Sequence, residues 1–136
     1  MRKAFRYSIL VASLFGIAAT LLAAVIRERP TAQSNGSDIV IRWATEDERG
    51  VERYDILRRA GTTGDFVTVG TERPKGNYST YEYTDRSVFK AQGGVYQYKV
   101  RIVISQGSPL ETEIVTVSFL SSAAKRTWGS IKAMFR

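Results

Sequence analysis

The alternation of apolar and polar positions is clearest between residues 93 and 105. Every second residue from Tyr96 to Ile102 is aromatic or aliphatic, and the residues between them are polar or charged. Because successive side chains of a strand point to opposite faces, one face of this strand is apolar and the other is hydrated. We interpret the segment as the central strand of an antiparallel sheet.

Similar strand patterns recur along residues 38–119, with turn-forming clusters between them. They cover residues 38–45, 51–59, 66–69, 79–85 and 113–119. No helical period appears between residues 37 and 120. Six or seven short strands at regular spacing predict an all-β antiparallel sandwich. The inner face is expected to hold Trp43, Tyr54, Ile56, Tyr81, Tyr83, Tyr96, Tyr98 and Val100.

The N-terminus has a different pattern, because no charged residue occurs from Tyr7 to Ile26. Twenty residues of helix measure about 30 Å, which matches the hydrocarbon core of a bilayer. Residues 1–6 form a cationic stub, and the positive-inside rule puts that stub in the cytoplasm. The sequence therefore favours a single-pass membrane anchor at residues 7–26, a linker at 27–36 and an extracytoplasmic domain at 37–120.

A cleaved signal peptide is the alternative for the same segment. Signal peptides carry a shorter apolar run, followed by small residues at positions −3 and −1 of the cut. A cut after Ala23 or Ala24 would put a leucine at −3, and a cut after Thr20 would divide the apolar run. An uncleaved anchor is therefore favoured. Cleavage would instead release a secreted adhesion module that binds a polysaccharide or a protein.

Composition narrows the chemistry that the domain can perform. The chain has no cysteine and no histidine, so it lacks thiolate ligands and the commonest general base. Residues 1–33 and 121–136 each carry a net charge of +4, whereas residues 34–120 carry −1. A nucleic-acid-binding domain carries its cations on the folded surface. We therefore expect no enzyme, no cofactor, no metal and no nucleic acid.

The densest acidic cluster is residues 46–48, with Glu52 nearby. Its carboxylates are of the type that binds calcium. Consecutive acids on a loop point in different directions, whereas calcium needs oxygens that converge on one point. Arg49 and Arg53 also compete for these carboxylates. The expected structure is a solvated loop with surface ion pairs.

The C-terminal tail, residues 121–136, follows a helical period. Ala124, Trp128, Ile131 and Phe135 share one narrow stripe at 100° per residue. Three cations form the neighbouring stripe: Lys125, Lys132 and Arg136. Gly129 weakens such a helix by about 1 kcal/mol relative to alanine.

Three interpretations of the tail remain open. It is a helix lying on anionic lipid, a docking peptide for the groove of a partner protein, or a basic tail that is disordered or folded back on the sandwich. The N-terminal anchor would hold the tail near the same membrane, which raises its effective concentration there. The sequence therefore slightly favours lipid.

Residues 36–120 resemble a fibronectin type III domain, in the form common in secreted and surface proteins of bacteria. The matching segments are Ile41-Arg42-Trp43 on the second strand, residues 51–59 on the third, residues 81–85 on the fifth, residues 96–100 on the sixth and Gly107-Ser108-Pro109 in the last hairpin. The resemblance implies a binding or spacer module and a buried Trp43. It also implies that the hydroxyl of Tyr96 makes a corner hydrogen bond to nearby backbone.

Overall fold

The computed structural model describes residues 21–88, 94–120 and 122–135. Residues 21–25 are helical, and a second helix, α1 (Ser122–Met134), lies at the C-terminus. Between them the described chain forms eight strands. These are β1 (Ile26–Ser34), β2 (Ile39–Thr45), β3 (Val51–Ala60), β4 (Val67–Glu72), β5 (Thr80–Asp85), β6 (Gly94–Ile104), β7 (Leu110–Glu111) and β8 (Val115–Phe119).

The strands form two antiparallel sheets, which gives the all-β sandwich that the alternating pattern predicts. One sheet has the order β1-β2-β5, and the other has the order β4-β3-β6 with both β7 and β8 paired to β6. The last strand is split at Thr112, whose side-chain oxygen accepts the Val100 N–H at 2.9 Å. The backbone of Thr112 also donates to Val100, at 3.0 Å, so the pairing continues through the break.

The apolar faces of the two sheets meet in a core that is rich in aromatic rings. The ring of Trp43 stacks on Tyr81, with centroids 4.9 Å apart and planes 5° apart, and Tyr54 tilts against both rings. The other residues expected on the inner face are also in this core or packed against it: Ile56, Tyr83, Tyr96, Tyr98 and Val100.

The side of the sandwich between β4 and β5 is closed by Tyr83. Its hydroxyl donates to the carbonyl of Val69 at 2.5 Å, and its ring lies directly on Gly70. A Cβ at position 70 would come within 2.2 Å of that ring. Glycine is therefore required at this position in β4 by the close approach of the tyrosine.

The linker predicted for residues 27–36 was wrong, because most of it is strand. The register of β1 against β2 shifts between Ile26 and Glu28 and again between Glu28 and Thr31, so β1 does not keep a two-residue period. Pro30 is buried within the second shift, where a missing N–H removes no regular ladder bond. A bulged edge strand of this kind has the composition of a tether.

The apolar segment predicted at residues 7–26 lies outside the described residues as far as residue 20. Its last residues belong to the sandwich, since Val25 is buried in the core and Ile26 begins β1. Leu22 also packs against the core, so the sandwich begins before the predicted boundary at residue 26. Within residues 21–88, 94–120 and 122–135, no helix combines the length and the apolar composition that a bilayer crossing needs.

The two ends of the sandwich are distinct, and we call them the base and the tip. At the base, Ile26 pairs with Thr45, and Val51 pairs with Ile104. At the tip, Ser34 pairs with Ile39, Ile39 pairs with Asp85, and Gly94 pairs with Phe119. The chain therefore comes into the sandwich at the base and leaves it at the tip.

Candidate functional site

Helix α1 exposes large apolar side chains on its surface. Trp128 is 59% exposed, Ile131 40% and Phe135 87%. Their spacing of three and seven residues puts them on one side of the helix. An apolar side that is left in water costs free energy, and an exposed apolar surface of this kind is typical of interaction sites.

Cations accompany this apolar side. The ammonium of Lys132 lies 5.3 Å from the centroid of the Trp128 ring, within the range of a cation–π contact. Residues 121–136 contain four cationic side chains and no acidic one, so the formal side-chain charge of the tail is +4. Of the predicted contact residues, the side chain of Lys125 and the whole of Arg136 lie outside the described part of the structure. The arrangement is suited to an anionic surface that has an apolar centre.

The helix is weak when it is considered alone. Gly129 interrupts it, and a Cβ built at that position meets nothing within 4 Å. Ser130 donates its side-chain hydrogen bond back to the carbonyl of Arg126, at 3.1 Å, which competes with the helical backbone. Thirteen residues are marginal for an isolated helix in water. Binding that covers the apolar side would stabilise the helical state.

Val67 provides an internal comparison away from the helix. It is 55% exposed on β4, far along the chain from Trp128, Ile131 and Phe135. Its side chain is therefore exposed and apolar like the contact residues, but it does not belong to α1. Met134, three residues after Ile131, adjoins the contact residues and is no control.

The acidic loop differs from its prediction at Glu48, which is only 6% exposed. Its Oε1 accepts the hydroxyl of Thr45 at 2.9 Å, the hydroxyl of Tyr54 at 3.0 Å and the hydroxyl of Tyr81. Its Oε2 accepts the Gly76 N–H at 2.6 Å. The solvated loop predicted from the sequence was therefore wrong for Glu48, because turn geometry directs this carboxylate inward. Asp47 does pair with Arg49 at the surface, at 2.6 Å.

The environment of Glu48 keeps it ionised. Burial alone would raise the pKa of Glu48, but the hydrogen bonds from Tyr81, Gly76, Thr45 and Tyr54 outweigh it and hold the pKa below its ordinary value. Burial and the adjacent carboxylate raise the pKa of both tyrosines. Each of these groups donates its hydrogen bond to Glu48. Glu48 is therefore a structural residue at the base of the core.

Asp85 has the corresponding position at the tip. Its Oδ2 accepts Nη1 of Arg58 at 2.7 Å and the hydroxyl of Tyr98 at 2.8 Å, and its Oδ1 accepts the N–H and hydroxyl of Ser87. Burial opposes ionisation, but these donors lower the pKa of Asp85. The hydroxyl of Tyr98 thus bonds a carboxylate at the end of β5, whereas Tyr96, expected to bond nearby backbone, packs edge-on against Phe119.

The sequence contained a usable signal for Asp85 and none for Glu48. An aspartate followed two residues later by serine is typical of an Asx turn, and the Ser87 N–H does bond Oδ1 at 2.9 Å. Glu48 lies in an irregular loop, where no period relates side-chain direction to position. Its burial arises from tertiary contacts with β3, β5 and the loop at Gly76.

The base carries an open groove of about 440 Å³ beside residues 21–25. Its apolar wall includes Leu21, Val25, Ile104 and Leu110. Nearby, Tyr78 is 66% exposed and has a φ of 58°, in the left-handed region that side chains rarely adopt. In the described residues, no group of three acidic, histidine or cysteine side chains could hold a metal ion.

A comparison with family models, curated proteins and solved structures found no match to this chain. The class of this protein is therefore described from its own fold and its exposed helix. The chain is an all-β sandwich with an amphipathic, basic helix at the tip.

Proposed function

We propose that this chain is a non-catalytic binding or scaffold protein, built on one fibronectin type III-like sandwich and held at the outer side of a cell membrane. The order of the elements supports the family resemblance. The segments matched to the second, third, fifth and sixth strands of that family correspond to β2, β3, β5 and β6. Trp43, expected to be a core residue in that family, is 2% exposed.

The apolar segment from Tyr7 to residue 21 is the proposed anchor, because Leu22 packs against the core of the sandwich. Fifteen residues of helix measure about 22 Å, which covers most of a bilayer's hydrocarbon core. Arg2, Lys3 and Arg6 precede the segment, so the sandwich would lie on the extracytoplasmic side. The exposed ring of Tyr78 at the base supports this arrangement, because tyrosine is favoured at the level of lipid headgroups.

The contact surface is the apolar side of α1 with its adjoining cations. The observation that carries this proposal is the exposure of Trp128, Ile131 and Phe135 along one side of a helix. The two buried carboxylates, Glu48 and Asp85, are occupied by hydrogen bonds within the sandwich. Neither carboxylate is therefore free to bind a ligand. The proposed contact surface lies on the helix, and the sandwich positions that helix.

The double substitution Trp128→Ala and Phe135→Ala tests the contact surface. We expect it to abolish binding of the chain to its lipid or protein partner, with a loss of at least about tenfold in affinity, because buried aromatic anchors dominate such interfaces. The urea midpoint of the sandwich is expected to stay the same, since both side chains are exposed. Val67→Ala, at an exposed position on β4, is the control and is expected to bind normally. Unchanged binding by the double variant would contradict the proposal.

A secreted adhesion module is the second candidate, and the burial of Val25 is compatible with it. A cut after Ala24 would leave Val25 in the core and β1 intact. The released sandwich would then bind a polysaccharide or a protein in solution. The two candidates differ in whether the apolar segment remains attached to the chain.

A further inference from the structure

The proposed anchor and the tail leave the sandwich at opposite ends. At the base, the carbonyl of Val25 accepts the N–H of Glu46 at 2.8 Å. At the tip, Phe119 pairs with Gly94, the first residue of β6. The strand β6 runs from there to Ile104 at the base, and its ten steps at about 3.3 Å span about 33 Å. The start of α1 is therefore separated from Val25 by the full length of the sandwich.

Residues 21–25 lead directly into β1 at the base, without an intervening loop. Ile26 begins β1 directly after the buried Val25, and Leu22 already packs against the core. If the apolar segment before Leu22 crosses the bilayer, the base must lie at the headgroups, because no flexible linker separates the two. This step rests on the anchoring proposed above.

With the long axis of the sandwich along the membrane normal, the tail does not reach the same bilayer from the tip. Its thirteen-residue helix measures about 20 Å, so even a helix pointing straight back ends short of the base. Trp128 lies in the middle of that helix, which leaves it at least about 20 Å from the headgroups. Attraction between charges is screened within about 8 Å at physiological ionic strength. The lipid interpretation, which depended on a shared membrane, is therefore disfavoured by the topology.

A second copy of the tail is also a poor occupant. Each tail carries a charge of +4 and no acid, so two tails repel each other. The apolar side of α1 instead needs an anionic surface that also buries aromatic rings. A protein groove with an apolar floor and a carboxylate rim provides both.

We propose that α1 is a docking helix, held about 30 Å above the membrane by the sandwich, for a second extracytoplasmic protein with an acid-rimmed apolar groove. Trp128, Ile131 and Phe135 enter the groove at helical spacing. Lys132, beside Trp128, pairs with a carboxylate on the rim. The sandwich acts as a rigid spacer that sets the height of the docking site.

The first part of the test is zero-length cross-linking of the full chain in its native membranes. A carbodiimide joins a lysine amine to a carboxylate that is already in contact with it. We expect an amide between Lys125 or Lys132 and an Asp or Glu of another polypeptide, mapped by mass spectrometry to the edge of an apolar groove. Trp128→Ala with Phe135→Ala is expected to lower its yield at least about tenfold, and Val67→Ala on β4 to leave the yield unchanged.

The second part tests lipid directly. The full chain is reconstituted in vesicles of phosphatidylcholine and phosphatidylglycerol with brominated acyl chains, which quench tryptophan only on contact. Trp43 is buried and gives a constant background, so any change reports Trp128. We expect no quenching.

The outcomes separate this inference from the proposed function. A chain that retains its full mass in the membrane, but whose Trp128 is quenched by bromine, would overturn the docking proposal and leave the anchor intact. Cross-links only between two copies, or no cross-link that depends on Trp128 and Phe135, would overturn it as well. A chain that is missing from the membrane fraction would overturn the anchor itself.

Discussion

At the scale of single residues, the core is closed at each end by a buried carboxylate. Glu48 gathers four donors at the base, and Asp85 gathers donors from Arg58, Tyr98 and Ser87 at the tip. These bonds satisfy tyrosine hydroxyls that would otherwise be buried without partners. Trp43 is different, since its Nε1 meets no acceptor among the described residues. The tryptophan therefore contributes through packing and ring stacking.

Glu48→Gln tests the buried carboxylate at the base. The amide has no charge, and its NH₂ group would face either the Gly76 N–H or the tyrosine hydroxyls as a second donor. Hydrogen bonds to a charged acceptor contribute about 1.5–3 kcal/mol each, so we expect a loss of about 2–4 kcal/mol in the free energy of unfolding at pH 7. Urea denaturation measures it. Glu52→Gln, at an exposed position in β3, is the control and is expected to change little.

The same carboxylate predicts how stability depends on pH. The folded state holds the pKa of Glu48 below its ordinary value of 4.5, so the unfolded state binds more protons in that range. Its contribution is therefore complete above about pH 4.5 and is lost as the pH falls through the lower, folded pKa. Asp85 acts in the same direction below its ordinary value of 3.8. We expect Glu48→Gln to flatten the acid limb of the stability curve. An unchanged slope would contradict this account.

At the scale of secondary-structure elements, β1 and α1 both depend on what they contact. The strand β1 contains four charged or proline residues in a row, Arg27 to Pro30, and its pattern alone does not indicate a strand. Pairing with β2 and the burial of Pro30 make it one. The helix α1 has a helical pattern, but its apolar side chains Trp128, Ile131 and Phe135 are exposed. We therefore expect a bound partner to stabilise the helix.

Gly129→Ala tests whether α1 binds as a helix. The added methyl group meets no neighbour within 4 Å, so the change acts only on the helix. We expect about 1 kcal/mol of added helix stability, seen as higher helical content by circular dichroism. The partner found by cross-linking is expected to bind up to about fivefold more tightly. Higher helicity with unchanged affinity would show that the bound tail is not helical.

At the scale of the whole molecule, the sandwich separates its two basic ends. Nearly all the net charge lies in the N-terminal and C-terminal segments, whereas residues 34–120 carry −1. Ile26 lies at the base and Phe119 at the tip, about 33 Å apart along the antiparallel strands. Such a molecule is suited to hold one contact at a fixed distance from another.

The intact mass of the chain from its native membranes tests this organisation. We expect the mass of the full sequence, because the apolar segment remains as the anchor. If a signal peptidase acts, the mature chain must begin at or before Val25, because a later start would remove a core residue and then the edge strand β1. A mature N-terminus between residues 27 and 34 would contradict the structure of the base.

Strands and helices that show a regular repeat of apolar residues can be predicted before any tertiary contact is known. Alternation in β2, β3, β5 and β6 reflects the two-residue repeat of a strand beside a core, and the stripe in α1 reflects the helical repeat, so both could be predicted. Three other features could be seen only in the folded chain. The bulges of β1 break its period, the burial of Glu48 depends on strands far away in the chain, and the direction of the tail depends on the path of the sheets. These features arise from contacts between distant residues, which no local pattern records.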